Sequence, residues 1–170
     1  LWKWHSDIQG QELARQCMAE VLPFVDLVIG NEEDAADVLD IHPVDTDVTA
    51  GHLNVAAYED VAQQIVAKYS NVKRVAITLR ESISADHNNW GAMLYDAEGT
   101  AVFSPLNSGG EYESFQVGHI VDRVGGGDSF ASGLLHALND SRYDSLQAVL
   151  DFAVAASCLK HSIKGDFNYV

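Results

Sequence analysis

The stretch DRVGGGDSF, residues 122–130, sets three consecutive glycines directly before an apolar, helix-like run. Glycine has no Cβ, so successive backbone N–H groups can converge there without steric obstruction. A helix that begins after such a run adds its own unpaired amides and the positive end of its dipole. The stretch therefore predicts an anion site at a helix start, with phosphate as the usual occupant. A tight turn without a ligand is the alternative that the glycines alone leave open.

Asp128 follows the glycines directly. A carboxylate beside an anion site is repelled by the anion unless it takes part in the chemistry. A base that accepts the proton of an alcohol, as that alcohol attacks phosphorus, takes such a part. We therefore predict that Asp128 is a catalytic base, and an acid that only stabilises the helix start is the alternative. The Walker pattern GxxxxGK[ST] is absent and no GxGxxG follows a first strand, which excludes the two commonest nucleotide loops.

The composition limits the class of protein. The chain has 170 residues, of which 47% are hydrophobic, and this fits one domain or a large part of one. Its 25 acidic residues against 10 Lys and Arg give a net charge of −15, which argues against a nucleic-acid or acidic-membrane partner. We find no apolar run long enough to span a bilayer and no secretory signal, so we expect the cytoplasm.

Cysteine and histidine show no metal-binding pattern. Cys17 and Cys158 fall inside helix-like apolar segments and lack ligand spacing, so we predict buried, reduced thiols. The seven histidines have no spacing such as HExxH, and we predict that all of them are structural or lie on the surface.

Hydrophobic periodicity predicts an alternation of helices and strands. Helices are predicted over residues 11–24, 31–40, 58–69, 128–138 and 146–161. Strands are predicted over 26–30, 72–79 and 117–121, with a hairpin of 90–96 and 100–105. Loops are predicted over 41–55, 81–89 and 107–114. This order predicts an α/β fold with a mostly parallel sheet and antiparallel strands at one edge.

Residues 122–138, DRVGGGDSFASGLLHAL, resemble the C-terminal signature D-T-x-G-A-G-D-x-F of the ribokinase-like (PfkB) carbohydrate kinases. Gly126 replaces the usual Ala, a change that keeps the amide donor, and Arg123 and Val124 replace a polar pair. The DRVGGGDSF version resembles that of 2-keto-3-deoxygluconate kinases. The matching residues are Asp122, Gly125, Gly127, Asp128 and Phe130.

Other segments resemble the same family in the same order. GNEEDA (30–35) is similar to the N-x-x-E motif, with Asp34 in the Glu position. AITLRES (76–82) is similar to a nucleotide loop at a strand end. LKHSIKGDF (159–167) resembles the KHT-x-x-GD ending of the subgroup, and LWKW (1–4) resembles the region just after a substrate-contacting arginine.

The resemblance implies a three-layer α/β/α ribokinase-like fold. Residues 1–170 are then the C-terminal, nucleotide-binding part of a single kinase domain, whose N-terminal half and lid lie outside the chain. It implies phosphorylation of 2-keto-3-deoxygluconate by ATP with Mg²⁺, and it leaves open a requirement for a monovalent cation. We expect a small-molecule sugar acid and ATP as partners, with no nucleic acid and no membrane, and a homo-oligomer is left open.

The resemblance also implies residue roles. Catalysis is assigned to Asp128 with Gly125, Gly126 and Gly127, whose amides form the anion hole, and we expect a positive φ at Gly127. The nucleotide contacts are Thr78, Arg80, Asn31 and Val154. Magnesium is ordered through water by Asn31 and Asp34, and the substrate contacts are Asp128, Asp122 and Asp166.

A structural alternative stands beside several of these roles. Asn31 and Asp34 fit helix capping, and Thr78 and Arg80 fit an ordinary strand end. Asp122 fits a brace for the loop, Asp166 fits a turn cap, and Val154 fits plain core. Two functional alternatives also stay open: another ribokinase-like kinase of the fructokinase type, and a non-catalytic nucleotide- or sugar-binding module.

Overall fold

One mixed sheet runs through the part of the chain that the computed structural model describes, residues 8–43, 55–84 and 86–167. Its strands are paired in the order β1-β2-β3-β4, and β5 pairs with β3. β1 runs parallel to β2, with Leu27 opposite Arg74, whereas β5 runs antiparallel to β3, with His87 opposite Gly118. The strands are β1 (Leu27–Gly30), β2 (Arg74–Ser84), β3 (His87–Asp96), β4 (Thr100–Ser104) and β5 (Phe115–Gly118).

Every predicted helical segment is helical in the structure, so the α/β class with helices flanking a sheet is confirmed. A short 3₁₀ turn, Leu22–Phe24, follows the first helix. None of the described helices is both long and apolar enough to cross a bilayer. The helices are α1 (Ile8–Val21), α2 (Glu32–Leu39), α3 (Val55–Lys68), α4 (Gly126–Leu138) and α5 (Leu146–Lys160).

The chain divides into two units, and each has its own apolar core. The first unit is the chain up to Ile77 together with Tyr95–Ala101, and the second is Thr78–Leu94 with the chain from Val102 onward. Side chains that are almost completely buried fill both cores, because removing apolar surface from water is the main driving force of folding. They include Leu22, Ile65 and Val75 in the first unit and Leu94, Phe130, Leu134 and Leu150 in the second.

In the first unit, Arg15 fixes α2 against α1. Its guanidinium donates to the carbonyl oxygens of Asp37 at 3.0 Å and Ala36 at 3.3 Å, and it lies 3.0 Å from the carboxylate of Asp40. Carbonyls in the last turn of a helix lack intrahelical partners, and a cation there also matches the helix dipole. The position of α2, and of the residues at its start, therefore depends on this arginine.

In the second unit, α4 packs closely on α5. A Cβ placed on Gly133 would lie 3.1 Å from the Cα of Ala153, so a larger residue there would require the two helices to move apart by a few tenths of an ångström. α5 is tied to β4 by the hydroxyl of Ser104, which donates to Asp151 at 2.6 Å, and by Gln147, which donates to the carbonyl oxygen of Phe103. These contacts hold the two helices that carry the candidate site.

The predicted loop over residues 81–89 is wrong, because β2 continues to Ser84 and β3 already begins at His87. The outer half of β2 is exposed and polar, which the sequence pattern does not distinguish from a loop. Pairing holds it as a strand: Asn89 donates to Glu81 at 2.9 Å, and Arg123 donates to the carbonyl oxygen of Ser84 at 2.6 Å. Antiparallel pairing therefore extends further than the predicted hairpin.

The cysteine prediction is only partly correct. Both cysteines are free, but Cys17 is exposed, because it lines a cavity of about 530 Å³ in the first unit. Cys158 is half-buried, and its burial raises the pKa of its thiol to about 11. The predicted loop residues 44–54 and the segment LWKW lie outside the described residues.

Candidate active site

The three glycines before α4 have three different environments. Gly125 is the N-cap of α4 and has a left-handed φ of 82°, and a Cβ there would collide with the carbonyl oxygen of Asp166. Gly126 is buried, and a Cβ there would lie 3.3 Å from the Cε1 atom of His161. Gly127 is exposed within the first turn of α4, with no atom within 4 Å of its Cβ position. The predicted positive φ at Gly127 is therefore wrong, and the strained position is Gly125.

The start of α4 carries no side-chain cap, because its N-cap residue is a glycine. The first N–H groups of a helix have no intrahelical acceptor and are satisfied by a cap, water or a ligand. The amides of Gly126, Gly127 and Asp128 occupy these positions, and the open space at Gly127 lets a large anion approach them. The helix dipole adds partial positive charge at the same point, so the geometry suits a phosphate group.

Asp128 lies in the first turn of α4 with an exposed side chain. It lines a cavity of about 840 Å³ in the second unit together with Asp166. The structure thus brings two of the predicted site residues to one cavity, at the helix end where the glycine amides lie. The remaining wall comes from α4, α5 and the C-terminal segment and consists of Ser129, Ser132, Gly133, His136, Phe152, Ala155, Ala156, Leu159 and Phe167.

Asp122 braces the glycine loop from its N-terminal side. Its Oδ1 atom accepts the N–H of Val124 at 3.0 Å, and its Oδ2 atom accepts the N–H of Gly165 at 2.9 Å. These two hydrogen bonds are the main reason that the pKa of Asp122 lies below its usual value. Both carboxylate oxygens are engaged with backbone, so the hydrogen bonds support the bracing alternative for this residue.

The brace predicts a pH effect that is specific to Asp122. A carboxyl group with a folded pKa below its unfolded value contributes stability above the unfolded pKa, and that stability is lost as the pH falls through the folded pKa. We expect amide hydrogen exchange at Val124 and Gly165 to accelerate as the pH is lowered through and below the usual Asp value of 3.8, after correction for intrinsic exchange. Asp122→Asn keeps only one acceptor oxygen, so exchange at one or both of these amides should be fast throughout, and the extra pH dependence should be lost at both. Parent-like protection in the variant would contradict the brace.

Ser157 and His161 lie beneath the glycine loop. Ser157 is in the last turn of α5, and His161 is the C-cap of that helix. The hydroxyl of Ser157 donates to the carbonyl oxygen of Gly126 at 2.8 Å. The imidazole of His161 is 3% exposed, and its Nδ1 atom donates to the carbonyl oxygen of Ser157 at 2.9 Å. Burial lowers the pKa of His161, so the ring is neutral at pH 7, and Trp90 packs on it edge to face at 5.2 Å. The buried position of His161 agrees with the prediction that the histidines are structural or lie on the surface, but its contact with Ser157 beneath the glycine loop was not predicted.

The predicted nucleotide contacts Thr78, Arg80 and Val154 do not line the cavity of Asp128. Thr78 and Arg80 lie within β2 rather than at a strand end, and Arg80 is exposed. Val154 is 4% exposed and lines a second cavity of about 570 Å³, whose other walls include Pro105, Leu106 and Phe115. Ala155 and Leu159 line both cavities, so the two cavities adjoin along one face of α5.

Asn31 and Asp34 form a capping box at the start of α2 in the first unit. The Oδ1 atom of Asn31 accepts the N–H of Asp34 at 2.9 Å, and the Oδ2 atom of Asp34 accepts the N–H of Asn31 at 3.1 Å. Helix capping is therefore a real role of both residues. It leaves Oδ1 of the Asp34 carboxylate for other donors. In the described part of the chain, no group of three or more His, Cys, Asp or Glu residues could hold a metal ion.

The chain belongs to the pfkB family of carbohydrate kinases, whose profile matches residues 5–167. A solved structure of 2-dehydro-3-deoxygluconokinase from Thermotoga maritima is 41% identical to it over 94% of the chain, with a TM-score of 0.76. A PfkB family carbohydrate kinase from Listeria grayi is 31% identical over 93% of the chain, with a TM-score of 0.72. The chain spans 43% and 42% of the lengths of these two proteins. No curated protein matches it.

Family membership confirms the ribokinase-like fold class with helices flanking a sheet, although the described sheet is mixed rather than mostly parallel as predicted. It also shows the general class of protein, the carbohydrate kinases of the PfkB family.

Proposed function

We propose that the chain is the C-terminal, nucleotide-binding part of a single kinase domain that phosphorylates 2-keto-3-deoxygluconate on its 6-hydroxyl, with ATP as donor. The observation that carries the proposal is the exposed Asp128 directly after an uncapped glycine loop, beside a cavity of about 840 Å³. The 41% identity to a 2-dehydro-3-deoxygluconokinase supports this choice of sugar acid. The cytoplasm is the compartment that we propose.

Asp128 acts as the general base in this proposal. The 6-hydroxyl oxygen attacks the γ-phosphorus of ATP, the bond from that phosphorus to the ADP oxygen breaks, and the hydroxyl proton passes to the Asp128 carboxylate. The exposed position of the carboxylate in the cavity wall leaves it accessible to a substrate. A carboxylate that only stabilised the helix start would not need to face a cavity.

The glycine loop stabilises the charge that develops on the transferred phosphoryl group. The amides of Gly125, Gly126, Gly127 and Asp128 are the donors in this proposal, and the left-handed Gly125 sets their direction. Donors that are held in place before the reaction need no reorganisation during it, which is why such sites are effective. Asp122, Ser157 and His161 hold the loop in this shape through the contacts described above.

The nucleotide and magnesium contacts in this proposal are those that the family resemblance implies. We assign the base to the apolar cavity that Val154 lines, and contacts to the nucleotide to Thr78, Arg80 and Asn31. Mg²⁺ keeps most of its waters and is carried mainly by phosphates and one or two carboxylates, so the absence of a ligand cage among the described residues suits it. Asn31 and Asp34 would order its waters, and the ion would neutralise phosphate charge.

Asp166 is assigned to the sugar, because its exposed side chain lines the same cavity as Asp128. Asp122 is also assigned to the sugar, and because each of its oxygens accepts one backbone N–H, a lone pair on each remains for a sugar hydroxyl. The carboxylate of a sugar acid needs an arginine or several donors. The family resemblance implies that this arginine comes just before the region that LWKW resembles.

The experiment is a panel of sugars assayed with protein of full kinase length, ATP and magnesium. We expect kcat/KM for 2-keto-3-deoxygluconate to exceed that for fructose or ribose by at least ~10²-fold, because a carboxylate-binding site left unpaired in a bound complex is costly. A neutral sugar turned over equally well would support a fructokinase-type enzyme instead. Nucleotide binding by calorimetry, without ADP release on any sugar, would support a non-catalytic binding module.

A further inference from the structure

Lys160, the last residue of α5, has a completely buried side chain, with 0% of its surface exposed. Lysine is almost never fully buried unless its ammonium is satisfied, because the charged group loses its hydration. Here its Nζ atom donates to the carbonyl oxygen of Ile163 at 3.0 Å, in the turn that follows the helix. The negative end of the α5 dipole also favours a cation at this position.

The ammonium of Lys160 acts on the brace of the glycine loop. The pKa of Asp122 is lowered first by the N–H groups of Val124 and Gly165, and the positive charge of Lys160 lowers it further. Gly165 belongs to the turn whose Ile163 carbonyl accepts from Lys160. The buried ammonium of Lys160 thus binds this turn, and the carboxylate of Asp122 joins the same turn to the start of the glycine loop.

We propose that Lys160 is a positioning residue, whose buried ammonium fixes the 160–165 turn and, through Asp122, the glycine loop that receives phosphate. The kinetic part of this inference rests on the proposed kinase function. The loop-ordering part rests only on the contacts of Lys160, Asp122 and Gly165. A monovalent cation does not fit at the Ile163 carbonyl, because it would lie within a few ångströms of the ammonium and like charges repel.

The first test is Lys160→Met in protein of full kinase length, because methionine keeps an unbranched apolar stem and removes the charge. Its matched control is Lys68→Met: Lys68 ends α3 and donates to the carbonyl oxygen of Leu39 at 2.9 Å, but its side chain is exposed. We expect kcat to fall by up to about 10²-fold in Lys160→Met, since small displacements of a catalytic loop have effects of that size. The control should keep the parent kcat.

Chemical rescue separates a role of the charge from a role of the packing. Lys160→Ala removes the equivalent of one n-propylammonium ion. We expect n-propylammonium to restore part of the lost kcat, whereas n-propanol, which has the same length without the charge, should not. Equal rescue by the two compounds would overturn the proposal. If Lys160→Met does not fold, refolding of Lys160→Ala with each compound decides the same question.

Amide hydrogen exchange in the absence of nucleotide supplies a readout that does not depend on phosphoryl transfer. Exchange at Val124 and Gly165, whose N–H groups donate to Asp122, should be faster in Lys160→Met than in the parent and in Lys68→Met. Unchanged exchange in a folded Lys160→Met would overturn the proposal. Accelerated exchange in a protein that phosphorylates no sugar would contradict the proposed function while supporting the role of Lys160.

Discussion

Asp128→Asn is expected to lower kcat by about 10²–10⁴-fold, the range that a positioned general base supplies. The substitution keeps the shape of the side chain and one acceptor oxygen, and it removes the charge and the proton acceptor. Asp128 is exposed in the first turn of α4, so little packing is disturbed. The measurement is a coupled assay of ADP release in protein of full kinase length, with ATP affinity measured separately and expected to stay within a few-fold.

Asp166→Asn is the matched comparison, because it removes the same charge from the same cavity. Asp166 is proposed to contact the sugar, so its variant should raise KM for the sugar more than it lowers kcat. Equal kcat losses in the two variants would indicate that the charge of the cavity matters rather than a proton acceptor at Asp128. Near-normal turnover of Asp128→Asn would remove that residue from the role of base.

Gly125→Ala is expected to lower kcat/KM by at least ~10²-fold, because the loop that receives phosphate can no longer take its present path. Two effects combine at this position. A Cβ at a φ of 82° is strained, which costs roughly 1–2 kcal/mol, and it also collides with the carbonyl oxygen of Asp166. The measurements are kcat/KM for ATP and the melting temperature.

Gly110→Ala is the control for the strain alone, since Gly110 has a φ of 81° and nothing within 4 Å of its Cβ position. It should lose stability comparable to the strain at Gly125 while keeping kcat/KM. If Gly125→Ala folds and its kinetics match those of Gly110→Ala, the close approach between the glycine loop and Asp166 has no role in the site.

The regular elements of the fold were predictable from the sequence because their apolar faces repeat. The stripe of Phe130, Leu134 and Leu138 predicts α4, and the first two of these side chains are completely buried. The outer half of β2 was not predictable, since its residues are all exposed and therefore lack the alternation of buried and exposed side chains that indicates a strand. The exposure of Cys17 was not predictable either, because a helical pattern shows which face of a helix is apolar but not whether other residues cover that face.

The candidate site was predictable where it depends on residue type within one segment. The glycine run and Asp128 form such a segment, and the structure places the glycine loop and Asp128 at one helix start. The supports of the loop were missed, because Ser157, Lys160 and His161 acquire their roles through contacts with residues more than thirty positions away or through burial. The position of the strained glycine was also misjudged, since φ depends on how the loop meets Asp166 rather than on the glycines themselves.

The capping box at the start of α2 has a thermodynamic consequence for any ligand of Asp34. A free carboxylate loses rotamer freedom when it is immobilised on a ligand, at roughly 0.5–1.5 kcal/mol for a mobile side chain. Asp34 has already lost that freedom in folding, because its Oδ2 atom is held by the N–H of Asn31. The entropy of ordering its other oxygen is therefore part of the free energy of folding, and the free energy of binding does not include it.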